Sequence, residues 1–307
     1  MKTGGRVVFL STLALAFGAG ATSLHSQVLR SRVLETRPRV LRSADTPGDV
    51  IPLRLFSDSS YEAVLEKFVD DPGHGLVWRG RLLDHPGSWV VMVEQGAVMA
   101  GVISTGDRVF RIRFAGYGLH AIEEMDPRSL QWFADDTAAA SPAVEPFASG
   151  SEVDVAQPAE AGDTEIDVLM VYTGKAGRVL VNDPDRYWFV DETDARRAIE
   201  SQAMLSIAVA NAALDNSRTR ATLRLVGVKK IQGRGSKDSG LDLDRLAHPS
   251  DGVWDNVHDL RNRYGADFVV LIIARMEEDV GGRGYVVPAS SPFAADFAFS
   301  IVRSSLL

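Results

Sequence analysis

The stretch from Asp251 to Ala274 constrains this chain more than any other. Val253, Val257, Leu260 and Tyr264 recur at helical spacing, and charged residues fill the other side. Ser250 or Asp251 is suited to cap the start, and Gly265 stands where a helix ends in the left-handed conformation. Phe268 to Ile273 then runs as unbroken apolar sequence rich in Val and Ile, the pattern of a central strand covered on both faces. A helix, a glycine and a buried strand make half of an α/β unit.

The other half lies upstream. Glu165 to Thr173 reads as a strand, and Asp191 to Leu214 as a long helix capped by Thr193 or Asp194 with Ile199, Ala203, Ile207, Ala210 and Leu214 on one face. Thr222 to Val228 reads as a further strand, followed by a Gly- and Asp-rich loop from Gln232 to Asp244. This alternation predicts a mostly parallel, twisted sheet with two long helices packed on it. After Ala274 a short strand at Tyr285 to Val287 and an apolar run from Phe297 to Val302 are expected.

Residues 51–131 have a different texture. A helix-like piece (Tyr61, Val64, Leu65, Phe68) precedes strand-length runs at Leu76–Leu83, Trp89–Val93, Val98–Ile103, Phe110–Phe114 and Leu119–Glu123, separated by turn residues. Phe110, Ile112 and Phe114 alternate with Arg111 and Arg113, which predicts a strand with one wet face. The expected fold is a small antiparallel β-meander, so the chain is α+β overall: a β domain ahead of an α/β domain. Residues 22–50, interrupted by Pro38 and Pro47, are expected to form an irregular lead-in. Residues 132–163 are rich in Ala, Pro, Ser, Asp and Glu, which predicts a linker, and 164–307 form the second domain.

Export is expected from residues 1–21. Lys2 and Arg6 precede a short apolar core from Val7 to Phe17, and Ala19-Gly20-Ala21 makes a small-residue cleavage site. That core is shorter than the roughly 20 residues of a spanning helix, so no membrane attachment is expected once the signal is removed. The formal charge of −8 argues against nucleic acid, which needs clustered positive charge. With no cysteine in the 307 residues, disulfides, Cys-ligated metals and thiol nucleophiles are excluded.

Several pieces of the second domain, in order, resemble a known family. They are Ile-Asp-Val-Leu-Met-Val-Tyr-Thr at 166–173, Ser-Ile-Ala-Val-Ala-Asn-Ala-Ala-Leu at 206–214 and Leu-Arg-Leu-Val-Gly-Val at 223–228. Ser239 to Asp244, Asp251 to Leu271, Gly282-Arg283-Gly284-Tyr285 and Phe299-Ser300-Ile301-Val302 continue the series. Together they are similar to secreted bacterial reprolysin-like zinc metallopeptidases of the metzincin group, of the peptidyl-Asp metalloendopeptidase type. The resemblance implies a propeptide-like domain at 51–131, a protease domain from 164, protein or peptide substrates and a zinc cofactor in the complete family. It also implies that the strand carrying Gly284, Tyr285, Val286 and Val287 is a sheet edge that pairs with extended substrate.

The zinc motif of that family, His-Glu-x-x-His-x-x-Gly-x-x-His, is not among these residues. The resemblance implies that its helix follows the strand at Phe297–Val302, so the chain is expected to stop just before it and to bind no zinc as given. Gly281 and Gly282 stand where relatives carry a Cys, and a propeptide thiol capping the zinc is excluded as well. None of the six histidines (His25, His74, His85, His120, His248, His258) pairs with another at i, i+4. His258 with Asp251 and Asp255 is read as a solvated polar face, and Asp238, Asp242 and Asp244 lack the register of a calcium loop. Gly281–Gly284 lacks the Lys-Ser/Thr of a phosphate loop, and Ser304 and Ser305 lack a His or Asp companion. Catalytic and metal-ligating residues are therefore expected to be none. Two function classes stay open: part of a secreted zinc metalloendopeptidase precursor, or a non-enzymatic pseudo-protease or inhibitor-like binding module. A His-Glu-x-x-His encoded downstream would favour the first.

Overall fold

A computed structural model describes residues 28–35, 41–71, 75–127, 164–181, 191–277, 280–286 and 294–304. The signal-like residues 1–21, the expected linker at 132–163, His25, His74, Val287 and Ser305 lie outside them.

The first module is one eight-stranded antiparallel sheet. Its strands are β1 (Val28–Glu35), β2 (Val50–Phe56), β3 (Ser59–Asp71), β4 (Gly75–Leu82), β5 (Trp89–Gln95), β6 (Val98–Ser104), β7 (Val109–Gly116) and β8 (Leu119–Met125). Strands β2 to β8 follow one another as a meander, and β1 pairs with β8 at the far edge. The sheet curls until its two edges are joined by side chains. Arg30 of β1 reaches Asp58 and Ser59 in the β2–β3 turn, and Arg32 donates to the carbonyl of Arg54 on β2. Trp78, Phe110, Met92, Leu55 and Leu65 fill the inside, and Trp78 Nε1 donates to the Ala44 carbonyl at 3.1 Å.

Two expectations fail here for identifiable reasons. The helix-like spacing at Tyr61, Leu65 and Phe68 belongs to β3. A bulge between Leu65 and Lys67 slips the register against β4 by one residue and carries Phe68 back to the inner side. Alternation interrupted by a bulge mimics i, i+4, i+7. Where an irregular lead-in was expected, Val28–Glu35 is a strand. Its pairing with β8 is made by backbone groups, which leave no mark on side-chain pattern.

The second module is a five-stranded sheet in the order β10-β9-β11-β13-β12. Strands β9 (Thr164–Thr173), β10 (Ala221–Ile231), β11 (Phe268–Ile273) and β13 (Phe299–Arg303) are parallel, and β12 (Gly282–Gly284) runs antiparallel at the edge. The sheet is thus mixed. Its helices are α1 (Gly174–Val181), α2 (Glu192–Asn216), α3 (Ser239–Ala247) and α4 (Asn256–Tyr264). Only α2, with 25 residues, is long; α4 has 9. Helix α2 is capped by Asp191, whose side chain accepts from the Asp194 N–H at 2.7 Å, and not by Thr193 or Asp194. Helix α4 starts at Asn256, three residues after the first residue of its apolar spacing, Val253, because Asp251 and Asp255 accept the Val253 and Gly252 N–H groups in tight turns. Its end is as expected, with Gly265 at φ 60°. The loop expected at 232–244 contains the first six of the nine residues of α3.

Three apolar cores stack across the molecule. One fills the curled sheet. A second places α2 between that sheet's outer face (Val91, Val93, Val98, Ala100, Val102) and the five-stranded sheet (Val168, Met170, Tyr172, Leu225, Val270, Ile272). The third packs α3 and α4 on the far face of the same sheet, through Leu243, Leu246 and Val257 against Leu169, Leu271 and Phe299. Along the β10 edge, Asn211 of α2 exchanges two hydrogen bonds with the Leu223 backbone, at 2.7 and 2.8 Å.

Candidate functional site

The four parallel strands end together at Thr173, Ile231, Ile273 and Arg303. In open α/β sheets chemistry gathers outside this edge, and here it is crowned by polar groups. The loop leaving β10 turns into α3, with Asp238 capping the Leu241 N–H at 2.9 Å. Asp242 is fully buried and accepts the Ser236 N–H at 2.8 and 3.0 Å. Burial pushes its carboxyl up, and those bonds oppose the push. After β11, Glu277 Oε1 accepts both the N–H and the hydroxyl of Ser239, at 2.9 and 3.0 Å. Burial alone would raise Glu277. The backbone N–H bonds, the Ser239 hydroxyl and the charge of Arg283 outweigh it and hold the carboxyl below its ordinary range. Arg303, closing β13, donates to the Glu277 carbonyl, and its N–H reaches the Gly281 carbonyl at 2.9 Å. These contacts tie the strand ends to the edge strand.

The edge itself lies slightly upstream of its expected position. Gly284 is the last residue of β12, facing Ser300 of β13, while Tyr285 and Val286 follow it. Tyr285 is turned onto α3: its hydroxyl donates to Asp244 Oδ1 at 2.7 Å, and its ring meets Phe297 edge-on at 5.1 Å. Burial pushes that hydroxyl up, and the bond to Asp244 adds to the effect. Tyr285 therefore anchors the edge strand to α3, and the exposed apolar side chain beside it is Val286. The sequence signals for Ser239, Glu277 and Arg303 were absent, since each acts through contacts made more than 20 residues away.

The other sequence candidates are occupied structurally. Asp238 caps α3, Asp242 ties down Ser236 and Asp244 holds Tyr285. His258 is not on a solvated face. It is half-buried, with Nε2 3.1 Å from the Leu246 carbonyl and its ring 5.2 Å from that of Phe299. Asp251 and Asp255 are spent on turns, as described above. His248 ends α3 and accepts from Ser250, while His85 meets Tyr61 edge-on in the first module. His120 lies buried inside the curled sheet's wall, where Nε2 accepts the Met99 N–H at 2.9 Å. Gly281–Gly284 is edge strand and its approach, and Ser304 is buried at the end of β13. Among the described residues no group of three or more His, Asp or Glu side chains is arranged to hold a metal ion. The donor set of a zinc site is not met by them.

Comparison with known proteins bears on this arrangement. No family model matches the chain. It is 26% identical over 250 residues to a peptidyl-Asp metalloendopeptidase of Stenotrophomonas maltophilia, covering 76% of this chain and 55% of that protein. A peptidyl-Asp metalloendopeptidase of Xanthomonas campestris pv. campestris is 23% identical over 183 residues, covering 60% of this chain and 40% of that protein. The solved structure of metalloproteinase-II from Bacteroides fragilis overlaps 86% of this chain and 78% of its own, at 11% identity and a TM-score of 0.48. The chain spans about half the length of the curated relatives it matches first. The sequence likeness to the peptidyl-Asp metalloendopeptidases supports a metallopeptidase family as the chain's kin.

Proposed function

We propose that these residues form two parts of a secreted zinc metalloendopeptidase precursor of the metzincin, reprolysin-like kind: a propeptide-like curled sheet and the sheet-bearing part of the protease module. The observation that carries this reading is the second sheet. Four parallel strands flanked by one antiparallel edge strand accompany sequence likeness to peptidyl-Asp metalloendopeptidases. Extended protein or peptide substrate lies along β12 and the residues that follow it, from Gly284 through Tyr285 and Val286, and is held by main-chain pairing. Hydrolysis in the complete family requires a zinc-bound water and a Glu to take its proton, and residues 1–307 contain no His-Glu-x-x-His to supply them. On this reading residues 1–307 contribute no catalytic group. A non-enzymatic binding protein is the second reading, and the same missing motif favours it.

The test uses purified 1–307 protein supplied with zinc. Stoichiometric metal content and cleavage of a general protein substrate are measured, with and without chelator. Neither bound zinc nor chelator-sensitive cleavage is expected. Chelator-sensitive turnover would overturn the non-catalytic assignment and make His258 the first residue to replace.

A further inference from the structure

We propose that the curled sheet is an obligate cover for α2, remaining bound as a non-covalent 1:1 subunit when the chain is cut between residues 128 and 163. Cleavage there would not by itself uncover the second module. The proposal goes beyond the peptidase reading and stands if that reading fails.

The first ground is the character of the two surfaces. An antiparallel meander commonly keeps one face wet, yet every residue of Val90–Glu94 and Val98–Ser104 is buried. Val90, Met92, Met99 and Ile103 face Trp78 inside the curl, while Val91, Val93, Val98, Ala100 and Val102 face α2. Helix α2 is likewise covered all round: Ser201 to Ala210 are buried without a break. A helix with no wet stripe needs a layer on each side. The five-stranded sheet supplies one and the curled sheet the other.

The second ground is how the modules are joined. Among the described residues no strand of the curled sheet pairs with the second sheet, and no backbone ladder links the two there. Instead the ends of α2 are pinned. At its start Asp194 Oδ2 accepts the Tyr117 N–H at 2.6 Å. At its end Asp215 accepts from Arg79 at 2.5 Å, with Lys67 at 3.5 Å. Polar contacts at the rim and continuous apolar packing in the middle make up the anatomy of a permanent interface. Pulling the sheets apart would expose both apolar faces at once, and the described contacts of that interface are all made by residues outside 128–163.

The experiment inserts a site-specific protease sequence between residues 140 and 155 of the full chain. After complete cutting, judged on a denaturing gel, the sample is passed over a sizing column with light scattering at micromolar concentration. One peak with the mass of the uncut chain and both fragments in it is expected. Two separate peaks would overturn the proposal, as would a peak of twice that mass, in which a second copy covers α2. Hydrogen exchange gives an independent readout. Amides of Ala198–Ala210 are expected to keep their uncut protection after cleavage, and their loss of protection would equally sink the proposal.

Discussion

At the scale of single residues, two buried polar groups in the first module carry consequences for stability. His120 is fully buried, and its Nε2 accepts the Met99 N–H where β7 no longer pairs with β6. Burial pushes the imidazole down to about 4 from its usual 6.5. A folded value below the unfolded one means that the neutral ring stabilises the fold above pH 6.5, and that this contribution is lost as pH falls toward 4. The loss is bounded at about 3 kcal/mol by 1.36 kcal/mol per tenfold. Urea midpoints followed by tryptophan fluorescence should fall more steeply between pH 7 and pH 4 in the parent protein than in His120→Gln. Parallel curves would refute the assignment. Glu123 is held low as well, but here the fold favours the charged form, and that contribution too is lost on acidification. Burial would raise its carboxyl, but Arg111 and Arg113, at 2.9 and 2.7 Å, hold it low. Those arginines were expected on a wet face; their side chains are only 15% and 16% exposed because they serve this buried carboxylate.

At the scale of elements, β4 depends on a residue with no side chain. A Cβ on Gly80 would sit 2.0 Å from the Val64 carbonyl oxygen and 2.9 Å from the Trp78 ring. Gly80 faces Leu65, the residue at which the β3 bulge begins, so the strands have little room to part there. Gly80→Ala is expected to cost roughly 3 kcal/mol, the range of overpacked cores. It would be read as a lower urea midpoint at unchanged slope. A midpoint equal to that of the parent would mean that β3 and β4 can shift apart freely. The bulge also explains the misread helix. Leu65 and Phe68 both point inward, although three residues apart, because one extra residue is absorbed between them.

For the whole molecule, the layers succeed one another as curled sheet, α2, five-stranded sheet, then α3 with α4. The polar crown at the parallel strand ends and the edge strand β12 share the side where Tyr285 joins α3. No described helix is long and apolar enough to cross a membrane. The three-part pattern of residues 1–21 leads to one prediction at this scale. Amino-terminal sequencing of exported protein should begin near Thr22, and recovery of Met1 from the cytoplasmic fraction would contradict export.

Local rules read from residues alone found β7 by alternation, β11 by an unbroken apolar run, and the end of α4 by Gly265. These signals are set by neighbours within one element, so the chain carries them in its own order. The tertiary structure decided the rest. Val28–Glu35 became a strand because β8 offered a backbone ladder nearly a hundred residues away, with Arg30 bonding Glu124. The apolar character of both faces of β5 and β6 was visible in Trp89–Val93 and Val98–Ile103, but not what would cover the second face. The crown of Ser239, Glu277 and Arg303 is silent in sequence for the same reason. Periodicity records which side chains avoid water, and only packing in three dimensions determines which surface removes it.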